Sequence, residues 1–147
     1  MESPEILYES ALRITGVVDY GANLQAIAAG KAAPPPEGAR FDISLEGSVD
    51  GPKLKGSWHG VDYLYIRADG LPELHIHGQF DLTDRGKVSM FADGVGIIDA
   101  KGIVQLRENV TLKSNYPAHA WVNSIVVWGV GTVNLATGEV RVKGYKA

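Results

Sequence analysis

Two of the chain's four histidines lie two residues apart in segment 73–82, where polar and apolar residues alternate. Successive side chains of a β-strand point to opposite faces, so His75, His77 and Asp81 would share one polar face. Imidazoles titrate near neutral pH and serve as general acids and bases. The pattern therefore predicts either the proton-transfer groups of a pocket or a polar strand surface in contact with solvent.

Other charged residues could complete a metal-free acid–base site around these histidines. Asp62, on the preceding predicted strand, would orient an imidazole or share its proton, because a nearby carboxylate raises an imidazole pKa. Arg40 carries a permanent, forked charge that suits an enolate oxygen, although a surface ion pair is the alternative. The predicted catalytic residues are therefore His75, His77, Asp62 and Arg40.

Aromatic and amide side chains supply a predicted ligand-binding wall. Segment 118–133 reads as one strand, which would place His119, Trp121 and Asn123 on the same face. An aromatic ring between an imidazole and an amide suits a flat, partly polar ligand, and Tyr63 would add a phenol. The alternative places Trp121 in the core and Asn123 in a turn.

A His-x-His pair on a strand can also present two imidazoles to one metal ion. With Asp81 and His119, the pair is loosely similar to the metal-binding motifs of the cupin family. The chain departs from those motifs, because Asp81 stands where cupins usually carry Glu and the Pro-x-Gly turn before the later histidine is absent. We therefore expect no metal or other cofactor, with a cupin-like metal-dependent enzyme as an alternative.

The elements that must position these residues are predicted to be strands. Eighteen glycines and recurring short alternating runs indicate an all-β fold, a single antiparallel β-barrel of about eight to ten strands. The Ala-rich segment 22–37, which contains Pro34-Pro35-Pro36, would form either a short helical or loop lid over one barrel mouth or a surface loop. The length suits one domain that spans residues 1–147.

Composition limits the partners. The net charge of −3 without a Lys/Arg cluster argues against nucleic acid, and no apolar run is long enough to cross a membrane. Segment 1–5 lacks the features of an export signal, and cysteine is absent, so the sequence predicts a cytoplasmic protein without disulfides. The expected partner is a small-molecule ligand, and dimerisation of the barrel stays open.

Several segments, in order, resemble the DUF3237 family, also called UPF0311. They are Gly38-Ala39-Arg40 and segments 46–56, 61–63, 67–70, 74–77, 83–86, 121–123 and 138–145. The resemblance implies a small antiparallel barrel with an enclosed pocket and, for some members, cofactor-free isomerase or cyclase chemistry on aromatic or polyketide-like compounds. The chain departs from the family at Leu74-His75-Ile76-His77, where members often carry Leu-Asp-x-Arg.

The sequence thus predicts a cofactor-independent isomerase, cyclase or lyase that acts on a flat oxygenated ligand. A non-catalytic small-ligand-binding barrel is the alternative from another class. Periodicity shows which residues share a strand face, but it does not show which face lines the lumen.

Overall fold

A computed structural model describes residues 4–147 and shows a closed barrel of antiparallel strands. The eight strands are β1 (Ile6–Asp19), β2 (Ala39–Asp50), β3 (Gly56–Ile66), β4 (Pro72–Leu82), β5 (Lys87–Ile98), β6 (Ile103–Lys113), β7 (Val127–Asn134) and β8 (Glu139–Lys146). Each strand pairs with its sequence neighbours, and β8 pairs with β1, so the described strands leave no open edge. The predicted all-β barrel is confirmed.

Two helical segments lie in connections between strands. Helix α1 (Leu24–Ala28) follows β1, and the side chain of Asn23 caps it by accepting the backbone N–H of Ala26 at 2.9 Å. The 3₁₀ segment (Pro117–Ser124) precedes β7. Within residues 4–147 neither helix has the length and apolar character that a bilayer crossing requires. Residues 1–3, on which part of the export prediction rests, lie outside the described chain.

The prediction of one strand over residues 118–133 was wrong in its first half. Pro117 begins the 3₁₀ segment, because its fixed φ suits a first helical turn and its missing N–H is not needed there. The side chain of Asn123 then ties the segment to Ser114 by two hydrogen bonds to the backbone of that residue, at 2.9 and 2.7 Å. His119, Trp121 and Asn123 therefore do not share a strand face.

Connections alternate between the two ends of the barrel, because consecutive strands are antiparallel neighbours. Helix α1 and the turns at 67–71, 99–102 and 135–138 lie at one end, which we call the α1 end. The 3₁₀ segment and the turns at 51–55 and 83–86 lie at the opposite end, which we call the 3₁₀ end.

Large aromatic side chains fill the lumen toward the 3₁₀ end. The rings of Tyr8 and Phe80 meet edge to face with centroids 5.3 Å apart, and Trp58 is also buried. Two glycines make room for these rings. A Cβ on Gly144 would lie 2.4 Å from the Tyr8 ring, and one on Gly78 would lie 2.7 Å from the Trp58 ring. Toward α1 the side chain of Phe41 is also buried, and this half of the lumen keeps a cavity.

Candidate functional site

A cavity of about 80 Å³ lies in the lumen between the aromatic layer and the α1 end. Leu24 and Ala28 of α1 line it together with inward-facing apolar side chains of the strands. Four of the lining residues carry side-chain oxygen atoms, namely Tyr8, Ser10, Asp62 and Glu108. An apolar enclosure with a few convergent polar groups is typical of a small-molecule site.

Asp62 lies on the inner face of β3 and is 7% exposed. Its Oδ1 accepts the backbone N–H of His75 at 3.1 Å. The strand ladder is interrupted at this point, because Asp62 pairs with Ile76 and the next pair is Tyr65 with Glu73. Burial raises the pKa of Asp62 to about 6, against the opposing effects of the His75 amide and the His75 charge.

Glu108 lies on the inner face of β6 and is 6% exposed. Its Oε2 is buried and has no hydrogen-bond partner within residues 4–147. Burial raises the pKa of Glu108 to about 7, and the charge of Asp62 raises it further in the same direction. Gly129 on β7 leaves room for this carboxyl, since a Cβ there would lie 2.9 Å from Oε1 of Glu108.

Tyr8 contributes a neutral hydroxyl to the same cavity. The residue is 1% exposed, and its Oη also has no hydrogen-bond partner in the described chain. Burial raises the pKa of Tyr8 far above its ordinary value, and the charge of Glu108 acts in the same direction. The hydroxyl therefore keeps its proton and can donate it in a hydrogen bond to a ligand.

Together these side chains form an acid, a base and a hydrogen-bond donor in one apolar space. The charge of Asp62 raises the pKa of Glu108, so Asp62 ionises first; between the two titrations Asp62 is the base and Glu108 retains a proton. Pairs of titratable groups whose surroundings separate their pKa values mark acid and base roles. The arrangement can take a proton from carbon while it donates hydrogen bonds to an adjacent oxygen.

Of the eight residues predicted from sequence, Asp62 alone lines this cavity in the described structure. His75, His77 and Tyr63 are exposed on the outer wall, where the His77 ring meets the Tyr63 ring at 5.4 Å and the Phe91 ring at 4.6 Å. Their placement in a pocket was wrong, because the lumen takes the apolar residues of β4 and leaves its polar residues outside.

Arg40 also lies on the outer wall. Its guanidinium is 3.5 Å from Asp42 and lies near the rings of Tyr20 and Tyr63, at 5.5 and 5.9 Å from their centroids. This placement corresponds to the surface ion pair that was the alternative for Arg40. It does not bring the guanidinium to the cavity.

The three predicted residues near position 120 lie at the 3₁₀ end, opposite α1. His119 is buried, and its Nε2 lies 2.7 Å from Oδ2 of Asp84 in the β4–β5 turn. Trp121 is half-buried with Lys53 Nζ 5.3 Å from its ring centroid, and Asn123 bonds to the backbone at the start of the connection. These residues close the barrel rather than line the cavity.

The residues of the cupin-like alternative do not come together. Asp81 pairs on the surface with His59, at 3.2 Å, and with Lys87, at 3.8 Å. Within residues 4–147 no group of three or more His, Asp or Glu side chains is arranged to hold a metal ion. The described donor set therefore does not fit a metal centre of the cupin kind.

Tyr8, Ser10 and Glu108 were missed, although the sequence carried a signal for one of them. Glu108 stands in phase with the apolar residues of its strand, Val104, Leu106, Val110 and Leu112. A carboxylate that occupies the same strand face as the apolar residues is buried when that face packs into the core. Buried carboxylates are rare outside functional sites or ion pairs. The sequence-based interpretation followed the polar phase instead.

Comparisons with known proteins support the fold. No protein-family model and no curated protein matches the chain. Among solved structures, a Clostridium acetobutylicum protein of unknown function matches with 18% identity and a TM-score of 0.80 over 98% of this chain and 97% of that chain. A β-barrel-like protein from Acinetobacter baumannii matches with 17% identity and a TM-score of 0.78 over 98% and 94% of the two chains.

A third similar structure is that of an enzyme from Penicillium herquei, with 15% identity and a TM-score of 0.70 over 99% of this chain and 97% of that chain. At these identities the comparisons establish a shared barrel fold. The chain is thus an eight-stranded barrel of known architecture, with a buried Asp–Glu–Tyr cluster in its lumen.

Proposed function

We propose that this barrel is a cofactor-independent isomerase that acts by enolisation on a small, flat carbonyl compound. The observation that carries the proposal is the burial of Asp62 and Glu108 in one apolar cavity, with the hydroxyl of Tyr8 beside them. Cyclisation and lyase reactions that begin from the same enolate belong to the same proposal.

The proposed reaction uses each group in one role. Asp62 removes a proton from the carbon next to the carbonyl, and the electron pair of that C–H bond moves to the carbonyl oxygen. Tyr8 and protonated Glu108 donate hydrogen bonds to this oxygen, as a tyrosine and a protonated carboxyl do in ketosteroid isomerase. Asp62 then returns its proton to another carbon of the enolate, so the isomerisation needs no oxidant, reductant or other co-reactant.

The family resemblance is compatible with this chemistry. Asp62 lies in segment 61–63, which is one of the segments that resemble DUF3237, and some members of that family are linked to isomerase or cyclase reactions. We propose that the chain belongs to this family. The similarity to the barrel of an enzyme from Penicillium herquei adds that the same fold can carry catalysis.

The test does not require the natural substrate. The protein is incubated with cyclohexanone in D₂O, and loss of the α-proton signal is followed by NMR; conversion of 3-cyclohexen-1-one to its conjugated isomer is followed by ultraviolet absorbance. We expect catalysis by the unmodified chain and a loss of about 100-fold or more in Asp62→Asn. Asp42→Asn, a carboxylate change on the outer wall, is the matched control and should leave the rate unchanged.

The alternative is a non-catalytic barrel that binds a small ligand, which the predominantly apolar lining of the cavity favours. Binding of these ketones without proton exchange or isomerisation would support the carrier and contradict the enzyme.

A further inference from the structure

We infer that the cavity selects uncharged carbonyl ligands and rejects anions and ammonium cations of the same shape. The inference rests on the proposed function and specifies its substrate class. It follows from the charges and donors of the lining. The ionisable residues that line the cavity are Tyr8, Asp62 and Glu108, and none of the described lining residues is Lys, Arg or His.

Two contributions to the binding free energy disfavour an anion in this cavity. The anion would lose its hydration on entering an apolar enclosure, and it would be repelled by the carboxylate of Asp62. The nearby cationic residue Arg40 and the histidines of β4 lie on the outer wall and do not line the cavity. The described lining therefore holds no cation that would offset the charge of a carboxylate or phosphate while Asp62 is ionised.

An ammonium cation would be attracted to Asp62, but it fits the remaining groups poorly. Oη of Tyr8 and Oε2 of Glu108 are both buried without partners, and both belong to groups that carry a proton in the reactive state. Two buried donors require an acceptor, and an ammonium group has no acceptor. A carbonyl oxygen accepts two hydrogen bonds and satisfies both donors at once.

The volume and the apolar lining of the cavity further limit the class of ligand that can bind. The small cavity volume of about 80 Å³ and the apolar lining, which includes Leu24 and Ala28 of α1, exclude a fused polycycle and limit the ligand to no more than one hydrocarbon ring. The inferred substrate class is an uncharged, single-ring enolisable ketone.

Four ring-matched probes test the inference, namely cyclohexanone, cyclohexanecarboxamide, cyclohexanecarboxylate and cyclohexylammonium. Their dissociation constants are measured at about pH 6.5, between the two carboxyl titrations, by ligand-observed NMR. We expect the ketone and the carboxamide to bind at least about tenfold more tightly than the carboxylate and the ammonium ion. Carboxamide and carboxylate have nearly the same shape, so their ratio isolates charge.

The double variant Asp62→Asn, Glu108→Gln should bring the carboxylate to within about threefold of the carboxamide, because it removes the repelling charge at constant shape. Tyr8→Phe provides a second variant and should weaken ketone binding without improving carboxylate binding. Equal binding of carboxamide and carboxylate by the unmodified chain would overturn the inference. So would tightest binding of the ammonium ion, absence of binding by every probe, or an unchanged ratio in a folded double variant.

The proton-exchange assay separates the two proposals. Charge-selective ketone binding without α-proton exchange would keep the inferred ligand class and contradict the enzyme. Exchange accompanied by equal carboxylate binding would contradict the ligand class and keep the enzyme.

Discussion

The backbone N–H of His75 donates a hydrogen bond to Oδ1 of Asp62 at 3.1 Å, so a residue whose side chain lies on the outer wall positions a carboxylate inside the lumen. The contact uses the backbone of His75 and coincides with the interruption of the β3–β4 ladder. It leaves the other oxygen of Asp62 available to a ligand. Strand interruptions and bulges often re-aim a side chain at a functional site.

The histidine side chains of β4 should be dispensable for the reaction. Because His75 holds Asp62 through its backbone and both imidazoles lie on the outer wall, we expect His75→Gln, His77→Gln to keep the isomerisation rate within about twofold. Steady-state rates of the double variant and the unmodified chain give the comparison. A loss as large as that in Asp62→Asn would return the histidines to the catalytic site.

Removal of the Tyr8 hydroxyl should slow the chemical step. Tyr8→Phe keeps the ring against Phe80 but removes a donor to the developing oxyanion, so kcat should fall about 100-fold. Stability should hold or rise, because the buried Oη has no partner within residues 4–147. The measurements are kcat, KM and a urea unfolding curve. A destabilised variant with unchanged kcat would assign Tyr8 a purely structural role.

The rate should depend on pH with a maximum between the two carboxyl titrations. It should rise as Asp62 ionises near pH 6 and fall as Glu108 loses its proton near pH 7. Because Asp62 and Glu108 interact, the apparent pKa values of the rising and falling limbs of the rate profile describe the pair and not each residue alone. Glu108→Gln should remove the alkaline limb of a kcat/KM profile, because an amide remains a donor at high pH. A profile that stays flat from pH 5 to 9 would exclude this acid–base pair.

Asp62 should make the barrel less stable at alkaline pH. Its folded-state pKa of about 6 lies above the ordinary value of 3.8, so the folded chain binds a proton more tightly than the unfolded chain. The resulting stabilisation is complete below about pH 4 and is lost as pH rises to about 6. The difference of roughly two pKa units corresponds to about 3 kcal/mol.

Asp62→Asn should therefore be more stable than the unmodified chain at pH 8, by up to about 3 kcal/mol, and should lose this advantage at pH 4. The amide oxygen can still accept the His75 N–H. Urea unfolding at the two pH values, with Asp42→Asn as control, measures the effect. Equal or lower stability of Asp62→Asn at pH 8 would show that burial of the ionised carboxylate does not destabilise the folded chain.

Periodicity predicted most of the fold because strand pairing follows local alternation and turn residues. It failed over residues 118–124, where the apolar residues Ala118, Ala120 and Val122 alternate as in a strand. Pro117 and the side chain of Asn123 instead favour a 3₁₀ turn there. The closure of the barrel and its eight-strand count depend on pairing of β8 with β1, which no local pattern encodes.

The site was harder to predict than the fold, because the alternation of polar and apolar residues does not show which strand face points inward. Asp62 was recognised as a carboxylate near histidines, whereas its actual partners Tyr8 and Glu108 come from strands distant in sequence. The informative sign was a carboxylate that replaces an apolar residue in phase, at Asp62 before Leu64 and at Glu108 after Leu106. Convergence of these positions follows from barrel closure alone.

The most direct measurement is a ¹³C NMR titration of the side-chain carboxyls of Asp62 and Glu108 in the ligand-free protein, assigned with Asp62→Asn and Glu108→Gln. It requires no substrate. A buried acid–base pair predicts midpoints near pH 6 for Asp62 and near pH 7 for Glu108, with the second midpoint falling when Asp62 is replaced. Midpoints near pH 4 for both carboxyls would show solvated groups and contradict the proposed site.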